Sequence, residues 1–464
     1  MLTARFCRKD VEQSQKQDAP ELESLLDRYR KTPALIEVNF RHMMSPKATG
    51  DRATHHIHPY PAKLLAQIPQ YFLRSEVLSK RGDLVADPFC GSGTVLLEAL
   101  LSGRHAVGLD TNPLACLISR AKTRRLDPAA LEASALLILA NISKAADEPP
   151  PPVVNLAYWF YPHVIKALNR IRRAILEVAD SATRDFFLTC LSVCIRHVSL
   201  ADPRLGVPVK LRMDTYPQDH ALHDAMKSRL IRLKRISVLD EFFRVVRDNI
   251  GRMKDFSLLY HGKIYGTVLQ SDARQLLVAS SGATRKLLPK ASVQLVVTSP
   301  PYPGAQKYIR ASSLSLGWLG LCRPDELRAL ECQNIGREHY LKCEYLQVTT
   351  TGIPLADCLL TQIRSTNPLR AHIAAHYLVE MRSALMGISR VLQKGGYLVL
   401  VCGNNHVCGL TFRTSEYLQT LAEEAGLVLR LQLRDEIRSR GLMTKRNRTA
   451  SVIECEYISL FQKA

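Results

Sequence analysis

The sequence contains no long hydrophobic run, and this absence argues against an integral membrane protein. No stretch approaches the roughly 18 consecutive apolar residues that a membrane-spanning helix requires. Residues 1–17, MLTARFCRKDVEQSQKQ, also lack the apolar core of a secretory signal peptide. We therefore expect the protein to reside in the cytoplasm.

Paired cysteine spacings are missing as well. The chain has 12 cysteines, but none of them forms a C-x-x-C pair, and only Cys190 and Cys194 lie close together. Structural zinc sites and disulfide scaffolds both depend on paired cysteines. We expect reduced cysteines in a hydrophobic core and no metal site.

Acidic residues are the scarcer charge. The chain has 43 Asp and Glu against 63 Lys and Arg, which gives a net charge of +20. Such an excess keeps a protein soluble, and it is also the usual electrostatic signature of a protein that binds a polyanion. Charge alone leaves these two interpretations about equally open.

The order of the hydrophobic segments predicts an α/β fold. A strand, a helix and a second strand follow one another in DLVADPF, SGTVLLEALLSG and HAVGLDTNP, and the pattern resumes at residues 266–276 and 293–298. The segments YLVLVCGNN, LVLRLQL and ASVIECEYISLFQK supply three further strands. We predict one seven-stranded, mostly parallel sheet with an antiparallel terminal strand.

Two insertions interrupt this pattern and define the domain organisation. We predict an N-terminal extension at residues 1–50, followed by the first part of the α/β domain at 51–124. A mostly helical insertion at 125–262 separates it from the second part at 263–464, which itself carries a smaller insertion at 303–370. No internal repeat is visible.

A glycine-containing turn, DPFCGSGT at residues 87–94, joins the first strand of this pattern to its helix. Gly91 and Gly93 allow the backbone to turn sharply and to approach a ligand closely. The full G-x-G-x-x-G pattern and the P-loop lysine are absent, which argues against a dinucleotide or a nucleoside triphosphate.

Acidic residues end the next two strands. Asp110 could accept hydrogen bonds from a ribose diol, and Asp272 from an adenine amino group. One adenosine-containing ligand would explain both residues and the glycine turn. For each aspartate taken alone, a helix cap or turn residue is the favoured explanation.

The segment VQLVVTSPPYPG, residues 293–304, ends a buried strand with two prolines. Proline continues neither a strand nor a helix, so the strand stops at this point. A polyproline II linker is one interpretation. The other is a rigid loop at the carboxyl end of a parallel strand, where open α/β sheets bind their ligands.

Together, the glycine turn, the strand-ending acid and TSPPY resemble the exocyclic-amino DNA methyltransferases, which use S-adenosyl-L-methionine. The S-P-P-Y form is similar to the cytosine-N4 type, whereas adenine-N6 enzymes usually carry Asn or Asp in place of the serine. HPYPAK, residues 58–63, is similar to the segment that closes over the methionine end of the cofactor. The resemblance implies a Rossmann-like class I methyltransferase fold.

The resemblance also implies roles for individual residues. The catalytic loop would consist of Ser299, Pro300, Pro301 and Tyr302. The cofactor-binding residues would be His58, Pro59, Tyr60, Lys63, Asp87, Phe89, Gly91, Gly93, Thr94, Asp110, Asn112, Asp272 and Thr298. Two departures leave the subgroup and the place of target recognition open: the glycine turn precedes TSPPY, and the large insertion, a candidate target-recognition domain, follows the second strand.

These residue types suit transfer of a methyl group to an exocyclic amine. The lone pair of a cytosine amino group is delocalised into the ring, so the nitrogen is a poor nucleophile. Ser299 and the carbonyl of Pro300 could each accept one amino hydrogen and draw the nitrogen towards tetrahedral geometry. Tyr302 would stack on a base that has left the duplex. A serine hydroxyl is too weak a base to take the proton, so we expect it to go to water.

A basic segment, RDEIRSRGLMTKRNR at residues 434–448, lies between the last two strands. We predict that it contacts DNA phosphates, with a solvated hairpin loop as the alternative. The residues concerned are Arg434, Arg438, Arg440, Lys445, Arg446 and Arg448.

The sequence therefore predicts a site-specific DNA methyltransferase that acts on cytosine N4, as in restriction-modification or related defence systems. Its partners would be double-stranded DNA with a flipped base and a cognate restriction nuclease or defence protein. Methylation of adenine N6 or of an RNA base is the alternative within the enzyme class. A catalytically inert nucleic-acid-binding protein with the same fold is the alternative from another class.

Overall fold

The computed structural model describes residues 21–44, 52–61, 63–144, 148–260, 263–279, 285–304, 307–437 and 453–464. The strands in these ranges are β1 (Ile36–Val38), β2 (Leu84–Asp87), β3 (His105–Asp110), β4 (Gly266–Gln270), β5 (Leu277–Ala279), β6 (Arg285–Leu287), β7 (Val293–Thr298), β8 (Leu392–Cys402), β9 (Asn405–Val407), β10 (Leu410–Phe412), β11 (Leu427–Glu436) and β12 (Cys455–Lys463).

One large sheet organises the described part of the chain. Its eight strands lie in the order β1-β11-β12-β8-β7-β2-β3-β4, and the pairs β5-β6 and β9-β10 form two small antiparallel ribbons. Strand β12 runs antiparallel to both of its neighbours, while all other pairs in the large sheet are parallel. The predicted mostly parallel sheet with an antiparallel terminal strand is confirmed.

The large sheet has one more strand than the seven predicted. Ile36 to Val38 pair in parallel with Leu433 to Asp435 and so add β1 at the edge of the sheet. Three residues are too few for an alternating pattern to indicate a strand. The segment expected to be only a peripheral extension thus completes one edge of the fold, because pairing covers the backbone donors and acceptors of β11.

Helices cover both faces of the sheet. They are α1 (Leu22–Lys31), α2 (Phe40–Met43), α3 (Gln67–Arg74), α4 (Thr94–Leu101), α5 (Pro113–Thr123), α6 (Pro128–Lys144), α7 (Leu156–Trp159), α8 (Pro162–Leu176), α9 (Ser181–Val198), α10 (His223–Leu233), α11 (Val238–Leu259), α12 (Tyr308–Trp318), α13 (Leu327–Cys332), α14 (Lys342–Leu346), α15 (Pro354–Thr366), α16 (Pro368–Val391) and α17 (Thr414–Glu424).

Several of these helices begin where a side chain satisfies a free backbone N–H group. Asn112 caps α5, whose first residue is Pro113, and Asp180 caps α9. Ser237 caps α11 by accepting a hydrogen bond from the backbone of Asp240. Caps of this kind stabilise a helix by about 1 kcal/mol each.

The helical insertion shares its core with the sheet. Phe186 and Phe187 of α9 and Phe242 of α11 belong to the same buried apolar cluster as Leu96 and Leu295 of the α/β domain. Each such fully buried side chain contributes about 2 kcal/mol. Much of the insertion is therefore built into the core, and its role in target recognition stays a prediction.

Two other expectations concern metals and membranes. Within the described ranges the cysteines are free thiols, and no three His, Cys, Asp or Glu side chains are grouped so as to hold a metal ion. No helix in these ranges combines the length and the apolar character needed to cross a membrane.

The fold requires glycine at position 108, in the middle of β3. A Cβ atom there would lie 2.4 Å from Cδ1 of Leu96 and 2.9 Å from Cβ of Cys90. Because α4 and the glycine turn both press on this point, we expect Gly108→Ala to lower the free energy of unfolding by about 1 to 3 kcal/mol. Urea unfolding measures this change.

Gly251, on α11, serves as the matched control. A Cβ atom at this position meets no heavy atom within 4 Å. Gly251→Ala should leave stability unchanged or raise it by up to about 1 kcal/mol, since alanine favours helix. Equal stability of the two variants would contradict the close packing of α4 on β3.

Candidate active site

The predicted functional segments meet at the carboxyl edge of the sheet. Asp87 ends β2, Asp110 ends β3 and Thr298 ends β7, and these strands are neighbours or next neighbours in the sheet. The carboxyl ends of parallel strands share one edge, where open α/β folds bind their ligands. The TSPPY segment therefore lies where the interpretation as a rigid ligand-binding loop predicts. A polyproline II linker is not needed to explain this position.

The buried carboxylate of Asp87 joins the glycine turn to the TSPPY loop. Its Oδ1 accepts hydrogen bonds from Oγ1 of Thr298 at 2.6 Å and from the backbone N–H of Phe89 at 3.1 Å. Burial raises the pKa of Asp87 to about 7, and the hydrogen bonds partly oppose this rise. Asp87 and Thr298 thus hold two loops in register.

Gly91 and Gly93 both have positive φ angles, of 47° and 77°. A Cβ atom on Gly93 would lie 2.7 Å from Oγ of Ser119 and 3.2 Å from its Cα. Ser119 also donates a hydrogen bond to the carbonyl of Gly91 at 2.8 Å. The close approach of α5 therefore requires glycine at position 93.

Asp110 stabilises the same turn from the end of β3. Its two oxygens accept from the backbone N–H groups of Gly91 at 2.9 Å and Asn112 at 2.8 Å. Burial raises the pKa of Asp110 to about 6. Each oxygen keeps a lone pair, and the side chain is only partly covered, so the carboxylate can also accept from a ligand hydroxyl.

Asn112 connects this strand end to the HPYPAK segment. Its Nδ2 donates to Oη of Tyr60 at 3.0 Å and to Oγ of Ser312 at 3.2 Å. The Tyr60 ring lies over Gly91, because a Cβ atom there would be 3.8 Å from it. The structure thus brings three of the predicted cofactor-binding segments together.

The other members of the HPYPAK segment have distinct surroundings. His58 is buried, and its Nε2 lies 2.9 Å from Oγ of Ser192 on α9. Burial, with the charge of Lys63, lowers its pKa to about 3. Lys63 donates to the carbonyl of His55 at 3.1 Å, whereas Pro59 is exposed.

Asp272 has a different environment from the one predicted. Its carboxylate accepts several hydrogen bonds from the Arg274 guanidinium, at 2.5 to 3.0 Å, and one from the Arg274 backbone at 2.9 Å. Arg274 also pairs with Glu380 at 2.5 Å. Contact with an adenine amino group stays a prediction, and these contacts suit the turn residue that was its alternative.

The TSPPY loop places Ser299 next to Tyr302. A hydrogen bond from Ser299 lowers the pKa of the Tyr302 phenol, while the larger effect of burial and the carboxylate of Glu456 raise it well above its ordinary value. Pro300 is buried, and Pro301 is partly covered. A serine hydroxyl that donates its hydrogen to Tyr302 keeps its lone pairs for accepting hydrogen bonds.

Sequence reasoning missed the segment that covers this loop, residues 331–338. Oδ1 of Asn334 accepts a hydrogen bond from Thr111 at 3.0 Å. Gly336 lies against Tyr302, because a Cβ atom at position 336 would be 3.3 Å from the Tyr302 carbonyl oxygen. Glu338 pairs with Lys307 at 3.3 Å and with Arg370 at 3.2 Å. No motif marks this segment, because its partners are distant in sequence.

Glu456 on β12 was missed for the same reason. Burial and the negative charge of Asp435 raise the pKa of Glu456 to about 7. Asp435 lies directly opposite Glu456 in the sheet. Asp435 lies within the basic segment at 434–448 and Glu456 lies on the strand that follows it, so acidic groups adjoin the segment expected to face DNA.

The predicted DNA-binding residues are described only in part. Arg434 pairs with Glu37 at 3.1 Å, and both side chains are well exposed. Arg438, Arg440, Lys445, Arg446 and Arg448 lie outside the described residues. Their contact with phosphates stays a prediction.

Known proteins are similar to the part of the chain that carries several of these segments. A family model described as DNA methylase matches residues 9–120, which contain the HPYPAK segment, the glycine turn and Asp110. Residues 9–120 of the chain therefore carry the DNA methylase domain of this family. Its fold is that of the Rossmann-like methyltransferases, and its cofactor is S-adenosyl-L-methionine.

Two type II methyltransferases align over most of this methylase. M.MvaI from Kocuria varians is 24% identical over 389 residues, which cover 79% of this chain and 80% of the relative. M.BsoBI from Geobacillus stearothermophilus is 22% identical over 356 residues, which cover 66% of this chain and 61% of the relative.

A solved structure is also similar in part. It is a DNA modification methylase from Thermus thermophilus complexed with S-adenosyl-L-methionine, 21% identical, covering 41% of this chain and 53% of that one. The TM-score of 0.20 is too low to support any argument about this chain.

The residues present fit the cofactor of the family. The glycine turn leads into α4, whose N-terminus has no side-chain cap, so its free N–H groups can meet a polar ligand. Asp110 lies at the other side of the turn with acceptor capacity for hydroxyl groups. The structure thus offers donors and acceptors at the two ends of one site.

The buried Asp87 predicts a pH effect on stability. Burial raises its pKa to about 7 in the folded protein, from an ordinary value near 3.8. Between pH 3.8 and 7 the folded state therefore binds more protons than the unfolded state. The contribution of Asp87 to stability is therefore full below pH 3.8 and is lost as the pH rises through 7. Asp87→Asn removes this dependence.

We expect the stability of Asp87→Asn relative to the unmodified protein to increase between pH 5 and 7.5, by up to about 1.4 kcal/mol per pH unit. Urea unfolding without cofactor at a series of pH values measures the difference. Parallel stability profiles for the two proteins would show that Asp87 is not buried as an acid.

Proposed function

We propose that this methylase transfers a methyl group from S-adenosyl-L-methionine to the N4 amino group of cytosine within a specific DNA sequence. The observation that supports this best is the Ser299 to Tyr302 loop, which Thr298 and Asp87 hold beside the glycine turn. The serine, rather than Asn or Asp, favours cytosine N4. Methylation of adenine N6 is the second candidate within the family.

In this proposal the loop recognises the amino group. S-adenosyl-L-methionine supplies the methyl group when it is bound. Ser299 donates its hydrogen to Tyr302 and accepts one amino hydrogen with a lone pair, and the Pro300 carbonyl accepts the other. These two hydrogen bonds localise the nitrogen lone pair, and the prolines keep both acceptors in place before the base arrives.

Tyr302 holds the flipped base in the same proposal. Its ring packs at the edge of the apolar cluster on one face of the sheet, and Gly336 of the segment 331–338 lies against its backbone carbonyl. The base would therefore enter when this segment moves away from Tyr302. Water takes the released proton, since Ser299 is too weak a base.

The cofactor contacts are part of the proposal. Asp110 would accept hydrogen bonds from the ribose hydroxyls, and Gly91 and Gly93 would let the turn approach the amino-acid part. His58, Pro59, Tyr60, Lys63, Asp87, Phe89, Thr94, Asn112, Asp272 and Thr298 complete the predicted set.

The DNA contacts and partners are also proposed. The net charge of +20 supports binding to phosphates, with the basic segment at 434–448 and the helical insertion as the contact regions. A partnership with a restriction nuclease is motivated by the type II designation of the relatives. An inert DNA-binding protein is the weaker alternative, because the Asp110 and TSPPY contacts are intact.

Ser299 provides the first test. We expect Ser299→Ala to bind cofactor and DNA normally but to transfer the methyl group about 10²-fold more slowly, since one preorganised hydrogen bond is lost. Single-turnover assays on duplexes whose target base is either cytosine or adenine measure the rate, and mass analysis of nucleosides identifies the product.

The exposed Ser365 on α15 supplies the control, because Ser365→Ala removes the same hydroxyl from a residue outside the TSPPY loop. Methylation of the adenine duplex alone would overturn the choice of cytosine. A fully active Ser299→Ala would remove Ser299 from the mechanism for either base.

Asp110 provides the second test. Asp110→Ala removes an ionised acceptor, so S-adenosyl-L-methionine should bind more weakly by about 2 kcal/mol. Calorimetric titration measures the affinity, with the exposed Asp219→Ala as the control for loss of a negative charge. Unchanged affinity in folded Asp110→Ala would refute the ribose contact.

A further inference from the structure

Residues 199–237 form a lobe that follows α9, on the side of the sheet where both functional loops lie. Early in α9, Asp185 pairs with Arg120 near the end of α5 at 2.7 Å. Further along α9, Oγ of Ser192 lies 2.9 Å from Nε2 of His58 in the HPYPAK segment. Because α5 begins at the carboxyl edge of the sheet, α9 runs back towards that edge.

Both ends of the lobe are attached at this end of the insertion. Sγ of Cys194, in the last turns of α9, lies 3.8 Å from the carbonyl oxygen of Val238 at the start of α11. Arg229 of α10 donates hydrogen bonds to the carbonyls of His197 and Ser199 at 3.2 and 3.3 Å. These contacts tie α10 to the end of α9, so the lobe stays at the carboxyl-edge end of the insertion.

The lobe has a small core of its own. Leu211, Tyr216 and Met226 are buried and pack together, separate from the two large apolar clusters. Oη of Tyr216 donates a hydrogen bond to the buried carboxylate of Asp202 at 2.5 Å, and the backbone N–H of Arg204 donates another at 2.9 Å. The surface of the lobe is therefore carried on an ordered framework.

This surface is basic. Residues 199–237 contain eight Lys and Arg against four Asp and no Glu. One of the four acids, Asp202, is buried, whereas six of the basic side chains are exposed. None of these six forms an ion pair with another residue in the described ranges. They are Arg204, Arg212, Lys227, Arg232, Lys234 and Arg235.

The arrangement of these charges suits an extended polyanion. Like charges that stand unpaired on one surface repel one another, and a bound polyanion removes this repulsion. Lys227 and Lys234 are two turns apart, so they lie on the same side of α10. This helix has 11 residues and is about 16 Å long, which is comparable to about five phosphate spacings of 3.4 Å along one DNA strand.

We propose that the lobe of residues 199–237 binds the phosphate backbone of duplex DNA beside the target base. The inference rests on the proposed function, and it assigns the contact to this lobe rather than to the helical insertion as a whole. Helices α6, α8, α9 and α11 instead supply buried residues to the main core. The contact does not depend on which base is methylated.

Paired substitutions test this surface. Arg212→Gln combined with Lys227→Gln removes two positive charges from the lobe, and both side chains are exposed. Arg81→Gln combined with Lys80→Gln is the matched control, because it removes one arginine and one lysine charge just before β2, at the opposite edge of the sheet. Fluorescence anisotropy with a labelled duplex of mixed sequence, at a series of salt concentrations, measures the affinity of each protein for DNA.

The lobe variant should bind the duplex about tenfold more weakly at low salt. Its slope of log affinity against log salt concentration should be smaller by about two, since two phosphate contacts are lost. The control pair should match the unmodified protein. Calorimetric titration should show the same affinity for S-adenosyl-L-methionine in all three proteins, because the substituted residues lie outside the cofactor segments.

Three results would overturn the proposal. A slope as steep as that of the unmodified protein would show that the lobe is only a solvated surface. Equal losses in the lobe variant and the control pair would show an effect of total charge alone. Stronger competition by an RNA of the same sequence than by the duplex would assign the surface to RNA instead.

Amide hydrogen exchange of the unmodified protein does not depend on how a variant folds. Addition of the duplex should slow exchange in peptides from the lobe and leave peptides around Arg81 unchanged. Binding of the duplex without protection of the lobe would refute this inference alone. If the unmodified protein does not bind the duplex, the proposed DNA methylation fails together with the inference.

Discussion

The hydrogen bond between Asp87 and Thr298 is the contact on which the site depends. It joins the carboxyl ends of β2 and β7, the two adjacent parallel strands that carry the glycine turn and the TSPPY loop. The bond is buried, so water does not compete for it, and a carboxyl acceptor strengthens it. This contact holds the glycine turn and the TSPPY loop next to each other.

Packing around the glycine turn is close enough to restrict the residues that can occupy it. Gly93 faces Ser119 of α5, and Gly108 faces Leu96 and Cys90. The turn is therefore held from three sides, by α4, α5 and Asp110. This rigidity suits a site that must present its backbone groups to a ligand without reorganising.

Buried charged groups and surface charges are distributed differently in this protein. The excess of basic residues agrees with a DNA substrate, whereas several of the buried charged groups, among them Asp87 and Lys122, lie beside the glycine turn. Lys122 donates a hydrogen bond to Ser92 of the glycine turn, Asp110 accepts one from the backbone of Gly91 in the same turn, and Glu456 lies near Tyr302.

The sequence by itself determined the fold class and the position of both loops, because strand periodicity, glycine turns and proline breaks are local properties of the chain. It did not reveal β1, since three residues carry too little pattern, nor the contact of Asp272 with Arg274. Only the tertiary structure decided that residues 331–338 cover Tyr302 and that Lys122 lies behind Ser92 with no acid beside it in the described ranges. Those contacts join residues far apart in the chain, and their energy depends on burial, which local sequence does not express.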